Sequence, residues 1–137
     1  MLDCPTAGTR GEWMKSSAGG ERRVLVLEDE FLIALETEHL IESCGCVVVG
    51  PVSSVAGGIA AVQQTELDGA VLDINVRDER VWPVAELLDH QGIPFVLASG
   101  YDLAEVPPQF RDRPLLRKPL MLNDLRLALD SIGLTGC

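Results

Sequence analysis

The chain has 137 residues, of which 47% are hydrophobic and 23% are charged, a size and composition that predict one folded domain with its own core. Its 21 Asp and Glu residues outnumber the 11 Lys and Arg residues, which gives a formal net charge of -10. Because proteins bind nucleic acid largely by neutralising phosphates with basic side chains, this balance excludes nucleic acid as a direct ligand. No apolar run reaches the ~18 residues of a membrane span. Polar and charged residues interrupt the N-terminal segment, which therefore does not resemble a secretory signal peptide. We expect a cytoplasmic protein with no membrane contact.

The chain divides into a central patterned region and two short flanks. Residues 1–21 show neither helical nor strand periodicity, which predicts a flexible N-terminal tail. Short apolar runs alternate with amphipathic segments over residues 22–133, which predicts the folded domain. Residues 134–137 are expected to form a C-terminal tail. Neither flank is long enough to fold alone, so we expect no output domain.

Five short apolar runs predict buried strands. In chain order they cover residues 24–27, 46–49, 70–72, 94–98 and 115–116, and Gly50-Pro51 is expected to end the second strand. Continuous Val, Leu and Ile runs are typical of strands that are covered on both faces.

Segments with helical periodicity lie between the strands. The predicted helices are, in order, residues 31–44, a helix capped by Ser53 or Ser54, one beginning near Pro83, a short one over 102–113 cut or distorted by Pro107-Pro108, and a last one marked by Leu122, Leu125, Leu129 and Ile132. Strands and helices that alternate in this way predict an α/β fold: a five-stranded parallel, doubly wound sheet with helices on both faces.

Ligands of doubly wound sheets bind at the carboxyl ends of the strands, so the residues just after each strand are the candidates for chemistry. Those residues are Glu28, Asp29, Asp73, Ser99 and Lys118. Each one alone also fits a structural role, such as a residue of a first helical turn, a turn residue, a cap or a solvated lysine. Three neighbouring carboxylates repel one another unless a cation joins them, and hard oxygen ligands suit Mg²⁺.

Such a cation would leave Asp73 as an oxygen nucleophile toward a phosphoryl group. Lys118 and Ser99 would then bind phosphoryl oxygens as negative charge develops on them. The product of that reaction would be an aspartyl phosphate.

Taken together, Glu28-Asp29, Asp73, Ser99 and Lys118-Pro119 resemble the receiver domain of two-component response regulators, over about residues 22–133. The resemblance implies a CheY-like, flavodoxin-like sheet with strand order 2-1-3-4-5. It also implies a role for each matched residue: Asp73 as the phosphoacceptor, Glu28, Asp29, Asp73 and the backbone carbonyl of Asn75 as the Mg²⁺ site, Ser99 as the switch hydroxyl, Lys118 as the partner of the acceptor and then of the phosphoryl group, and Pro119 after a cis bond.

A narrower resemblance covers residues 94–101, which look like the strand-4 signature of the FAT GUY receiver subgroup. Leu97 replaces the Phe of that signature and Ser99 replaces its Thr. Leu115 stands three residues before the lysine, where most receivers have an aromatic residue and this subgroup does not. Tyr101 is therefore a possible switch aromatic, and a partly buried packing role for it is equally compatible with the sequence.

The resemblance implies a stand-alone regulatory phosphoacceptor that is not an enzyme beyond self-phosphorylation and slow autodephosphorylation. Its partners would be a histidine kinase or histidine phosphotransfer protein, contacting the first helix around Leu32, Leu35 and His39. A protein target would bind the face formed by the fourth predicted helix, the fifth strand and the last helix.

Three other interpretations share parts of this pattern. A haloacid-dehalogenase-type phosphatase needs Asp-x-Asp, whereas this chain has Asp73-Ile74-Asn75. A flavodoxin needs a phosphate loop after the first strand, which is missing here. A degenerate receiver that acts without phosphorylation stays open, although all five core positions are filled.

Overall fold

The computed structural model describes residues 21–100 and 106–134. Within these ranges the elements are, in chain order, β1 Arg23–Leu27, α1 Phe31–Ser43, β2 Val47–Val52, α2 Val55–Gln64, β3 Gly69–Asp73, β4 Asn75–Val76, β5 Glu79–Arg80, α3 Trp82–His90, β6 Phe95–Ser99, a 3₁₀ turn Pro108–Phe110, β7 Leu115–Arg117 and α4 Leu122–Ser131. None of the helices in these ranges is long and apolar enough to cross a membrane.

Five strands form one parallel sheet in the order β2-β1-β3-β6-β7. Counted without the small β4–β5 hairpin, this order is 2-1-3-4-5, so the predicted flavodoxin-like fold is confirmed. All strands of the sheet run the same way, and their carboxyl ends therefore meet at one edge.

Alternate side chains of the sheet enter two apolar layers, because successive residues of a strand point to opposite faces. One layer contains Leu27, Leu72 and Phe95 from the strands, packed with residues of α2 and α3. The other is formed with α1 and α4 and contains, among others, Val26, Ile41, Val71, Val96 and Leu125. Leu134, one residue beyond the expected end of the domain, is also buried in this second layer. The site edge thus rests on strands that are held from both sides.

Strand β2 continues to Val52, so the prediction that Gly50-Pro51 ends it was wrong. Pro51 has no backbone N–H, but β2 is an edge strand, and an edge strand needs no ladder donor on its outer side. The Glu28 N–H donates to the Val52 carbonyl over 3.0 Å, which ties the end of β2 to the residue that follows β1.

The helix predicted over 102–113 is also wrong where the structure describes it. Residues 101–105 lie outside the described ranges, and residues 106–113 contain only the 3₁₀ turn Pro108–Phe110. Pro107 and Pro108 lack the N–H groups that a helix needs, and a proline disfavours helical geometry in the residue before it. Phe110 is buried and stacks on Trp82 with ring centroids 5.6 Å apart, so packing holds this segment in place of helical hydrogen bonds.

The β4–β5 hairpin, which follows β3 directly, was not predicted from the sequence. Its antiparallel pairs are Asn75 with Arg80 and Val76 with Glu79. The two turn residues, Arg77 and Asp78, have φ values of 52° and 64°. Two-residue hairpin turns of this hand usually carry Asn, Asp or Gly, and here only Asp78 belongs to this group.

Ser54 caps α2, since its Oγ accepts a 3.0 Å hydrogen bond from the Gly57 N–H. We expect Ser54→Ala to lower the free energy of unfolding by about 1 kcal/mol, because that donor loses its partner. Urea denaturation measures the loss. The neighbouring Ser53 is exposed and accepts a 3.3 Å hydrogen bond from the exposed Arg77, so Ser53→Ala serves as the control and should change stability by less than about 0.5 kcal/mol. Equal losses in the two variants would contradict the assignment of the cap.

Candidate functional site

The predicted site residues come from four neighbouring strand ends. Glu28 follows β1, Asp73 ends β3, Ser99 ends β6, and Lys118 follows β7. Glu28, Asp73 and Ser99 are buried, and Lys118 is half-buried. The sheet brings together residues that are up to 90 positions apart in the chain.

Three carboxylates form the acidic part of this site. Oxygens of Glu28, Asp29 and Asp73 all lie within 4.8 Å of one another. Glu28 and Asp73 are each only 5% exposed, whereas Asp29 is exposed at the rim. The cluster therefore has two buried carboxylates and one that faces solvent.

The Lys118 ammonium lies between the two buried carboxylates. Its Nζ donates to Oε1 of Glu28 and to Oδ2 of Asp73, each over 3.0 Å. Burial alone would lower the pKa of Lys118, but the hydrogen bonds to Asp73 and Glu28 outweigh it and raise this pKa above its usual value. Lys118 is thus held in its charged form.

In Glu28, by contrast, the effect of burial on the pKa outweighs that of the hydrogen bonds. Burial is the largest influence and raises its pKa from 4.5 to about 7, against the lowering effect of the hydrogen bond from Lys118. The negative charge of Asp73 raises the pKa further. One ammonium therefore does not fully compensate the two buried carboxylates, and the cluster can accept additional positive charge.

Backbone N–H groups orient each of the three carboxylates. Glu28 Oε2 accepts from the Glu30 N–H over 3.1 Å, and Asp73 Oδ1 accepts from the Asn75 N–H over 3.3 Å. Asp29 Oδ2 accepts from the Arg77 N–H over 3.0 Å. These bonds restrict the rotation of the carboxylates, including the exposed one.

The donor set fits a hard divalent cation. It consists of carboxylate oxygens alone, has one open side at Asp29, and contains a buried acid whose ionised form burial disfavours. Mg²⁺ prefers oxygen ligands and keeps several waters, which suits a partly exposed cluster of this kind.

Ser99 and Lys118 are joined through the backbone. The Lys118 N–H donates to the Ser99 carbonyl over 3.0 Å, and the Lys118–Pro119 peptide bond is cis. Ser99 is 2% exposed. Leu115 packs against the core layer that contains Phe95. Tyr101, the possible switch aromatic, lies outside the described residues.

Two arginines beside this site were not predicted from the sequence, and both lie on the β4–β5 hairpin. Arg77 binds Asp29 through its backbone N–H and Ser53 through its guanidinium. The Arg80 guanidinium donates to the side-chain carbonyl of Asn75. The available signal was two basic residues shortly after the candidate nucleophile in a strongly acidic chain.

A scan against protein-family models and a search of curated proteins gave no match. Solved structures do match. SdrG from Sphingomonas melonis Fr1 is 41% identical, with a TM-score of 0.74 and an alignment that covers 82% of this chain and 96% of SdrG. The BeF3-activated conformation of SdrG from Pseudomonas melonis Fr1 is 40% identical over the same shares, with a TM-score of 0.69. A response regulator receiver protein from Sinorhizobium medicae WSM419 is 26% identical, covering 84% and 96%, with a TM-score of 0.72.

Proposed function

This chain belongs to the response regulator receiver domains, and from that membership we propose that Asp73 accepts a phosphoryl group, in the presence of Mg²⁺, from a histidine kinase or a histidine phosphotransfer protein. The domain then acts as a switch in a two-component pathway through contacts with other proteins.

The placement of Lys118 is the observation that supports this function most directly. Its ammonium lies 3.0 Å from an oxygen of Asp73 and 3.0 Å from an oxygen of Glu28. A phosphoryl group on Asp73 would occupy the neighbourhood of that ammonium. The same cation can therefore pair with the free carboxylate and afterwards with phosphoryl oxygens.

In the proposed transfer, a carboxylate oxygen of Asp73 attacks the phosphorus of a phosphohistidine. The O–P bond forms as the P–N bond breaks, and the electron pair leaves with the imidazole nitrogen. Lys118 and the Ser99 hydroxyl bind the transferred oxygens. Glu28, Asp29, Asp73 and the backbone carbonyl of Asn75 would hold Mg²⁺, which when bound neutralises negative charge on the phosphoryl group.

We place the domain, as part of the same proposal, in the FAT GUY subgroup. Residues 94–99 support this placement, with Ser99 in the position of the signature Thr, and so does Leu115 before the lysine. Ser lacks the methyl group that restricts the rotamers of Thr, so the switch hydroxyl should select between its two positions less sharply. Tyr101 is the proposed aromatic partner of this hydroxyl.

Beryllofluoride, which imitates a phosphoryl group bound to a carboxylate, tests the proposed function. One similar structure is described as a BeF3-activated conformation of SdrG. We expect this chain to form a beryllofluoride adduct only when Mg²⁺ is present, and to shift the backbone resonances of Ser99 and Tyr101. An adduct that leaves both resonances unchanged would contradict the switch, and no adduct at all would contradict Asp73 as the acceptor.

The amount of phosphate released distinguishes this function from that of a phosphatase. A receiver should release about one phosphate per chain after phosphorylation and then stop. Continuous release from an added phosphomonoester, at a rate proportional to protein concentration, would instead support a haloacid-dehalogenase-type phosphatase. Donor preference gives a further contrast, because a receiver is expected to react with acetyl phosphate or phosphoramidate rather than with a phosphomonoester.

A further inference from the structure

The β4–β5 hairpin contacts two of the proposed Mg²⁺ ligands. Its turn supplies the Arg77 N–H that donates to Asp29 over 3.0 Å. Its second strand supplies the Arg80 guanidinium, which donates to the side-chain carbonyl of Asn75. Asn75 also donates its own N–H to Asp73.

The hairpin is anchored to the body of the domain on both sides. Val76 and Val81 are fully buried, and the Val81 N–H donates to the Ile74 carbonyl over 2.9 Å. Arg77 and Arg80, in contrast, are exposed. Their side chains contribute little to the core, and substituting them should leave the fold intact.

The hydrogen bond from Arg80 to the Asn75 side chain bears on the position of the Asn75 backbone carbonyl. The Arg80 contact spans the hairpin pair Asn75–Arg80, which is the pair nearest to Asp73. The bond adds a side-chain link to the Asn75–Arg80 strand pair, and we expect the two together to limit the movement of the Asn75 carbonyl. Partners of this kind commonly change metal affinity although they do not touch the metal.

We propose that Arg80 is a positioning residue for the Mg²⁺ site, acting through the side chain of Asn75, and that the β4–β5 hairpin holds the site in its binding geometry before the cation arrives. This role rests on the proposed function, since Asn75 and Asp29 matter here as Mg²⁺ ligands.

A double-mutant cycle on Mg²⁺ affinity tests the role. The variants are Arg80→Met, Asn75→Ala and the double variant, each titrated with Mg²⁺ alone while Trp82 fluorescence and backbone NMR shifts are recorded. Asn75→Ala keeps the backbone carbonyl and removes only the acceptor of the Arg80 bond. The loss of the Arg80 positive charge should change Mg²⁺ affinity equally in the wild type and in Asn75→Ala, so this electrostatic effect cancels in the cycle.

We expect Arg80→Met to weaken Mg²⁺ binding about tenfold more in the wild-type background than in the Asn75→Ala background. Equal effects in the two backgrounds would overturn the role of Arg80. Arg126→Met, an exposed arginine on α4, is the matched control and should leave the affinity unchanged.

Amide hydrogen exchange of the metal-free protein gives a second readout. Exchange of the Arg77 and Val81 N–H groups should be faster in Arg80→Met than in the wild type, with an unchanged unfolding midpoint. Unchanged exchange would count against a hairpin that is ordered in advance. If wild-type protein binds no Mg²⁺, the proposed function itself fails; if it binds and the cycle shows no coupling, only the role of Arg80 fails.

Discussion

Replacing Asp73 by Asn is expected to abolish phosphorylation, reducing labelling by acetyl phosphate or phosphoramidate at least about a hundredfold. The amide is a poor nucleophile compared with the carboxylate, and one of the three clustered carboxylates is lost. Asn matches Asp in shape, and its single carbonyl oxygen can still accept one of the two hydrogen bonds that Asn75 and Lys118 donate to separate oxygens of Asp73. Lys118 also keeps its bond to Glu28. The fold should therefore survive. Mass spectrometry of the intact protein measures the added phosphoryl group.

The matched control for this substitution is Asp130→Asn, which removes one negative charge at an exposed position on α4. Its labelling should equal that of the wild type, and in both proteins chelation of Mg²⁺ should prevent it. Labelling of Asp73→Asn at the wild-type rate would show that another residue accepts the phosphoryl group. Labelling that persists after chelation would instead separate phosphorylation from the acidic cluster.

The sequence predicted the sheet and the location of the site for one physical reason. Parallel strands that are covered on both faces appear as continuous apolar runs, and the residue that follows each run lies at the same edge of the sheet. Glu28, Asp73 and Lys118 could thus be expected to meet before any distance was known. The contact of Lys118 with both carboxylates needed the structure, since strand ends alone do not specify side-chain rotamers.

Three features of the fold were not predicted correctly from the sequence, because they depend on backbone geometry that leaves only a weak signal in the residue types. The β4–β5 hairpin turns at Arg77 and Asp78 in left-handed conformations, and only Asp is a residue type that is enriched there, so the pair is a weak turn signal. Strand β2 passes through Gly50-Pro51 as an edge strand whose register with β1 shifts at this place, and both features tolerate proline. The segment before Phe110 has no regular helix, since prolines interrupt it and aromatic packing holds it. In each case tertiary context outweighed local propensity.

Replacing Lys118 by Met is expected to destabilise the metal-free protein by about 2–4 kcal/mol, because Glu28 and Asp73 then share a buried site with no cation between them. Met keeps the length and apolar stem of the side chain, so the loss reports the charge rather than a cavity. Mg²⁺ should restore part of the stability by compensating the same carboxylates. Urea denaturation with and without Mg²⁺ measures both effects.

Arg117→Met provides the control, since it removes one exposed positive charge from the neighbouring position and should change stability by less than about 0.5 kcal/mol.

The pH dependence of the free energy of unfolding gives a further prediction. The folded-state pKa of Glu28 already lies near 7, above its value of 4.5 in the unfolded chain, so stability falls as pH rises between those values. Removing Lys118 takes away an influence that lowers this pKa. The loss caused by Lys118→Met should therefore be larger at about pH 8 than at about pH 6, and equal losses at the two pH values would contradict the pairing of Lys118 with Glu28.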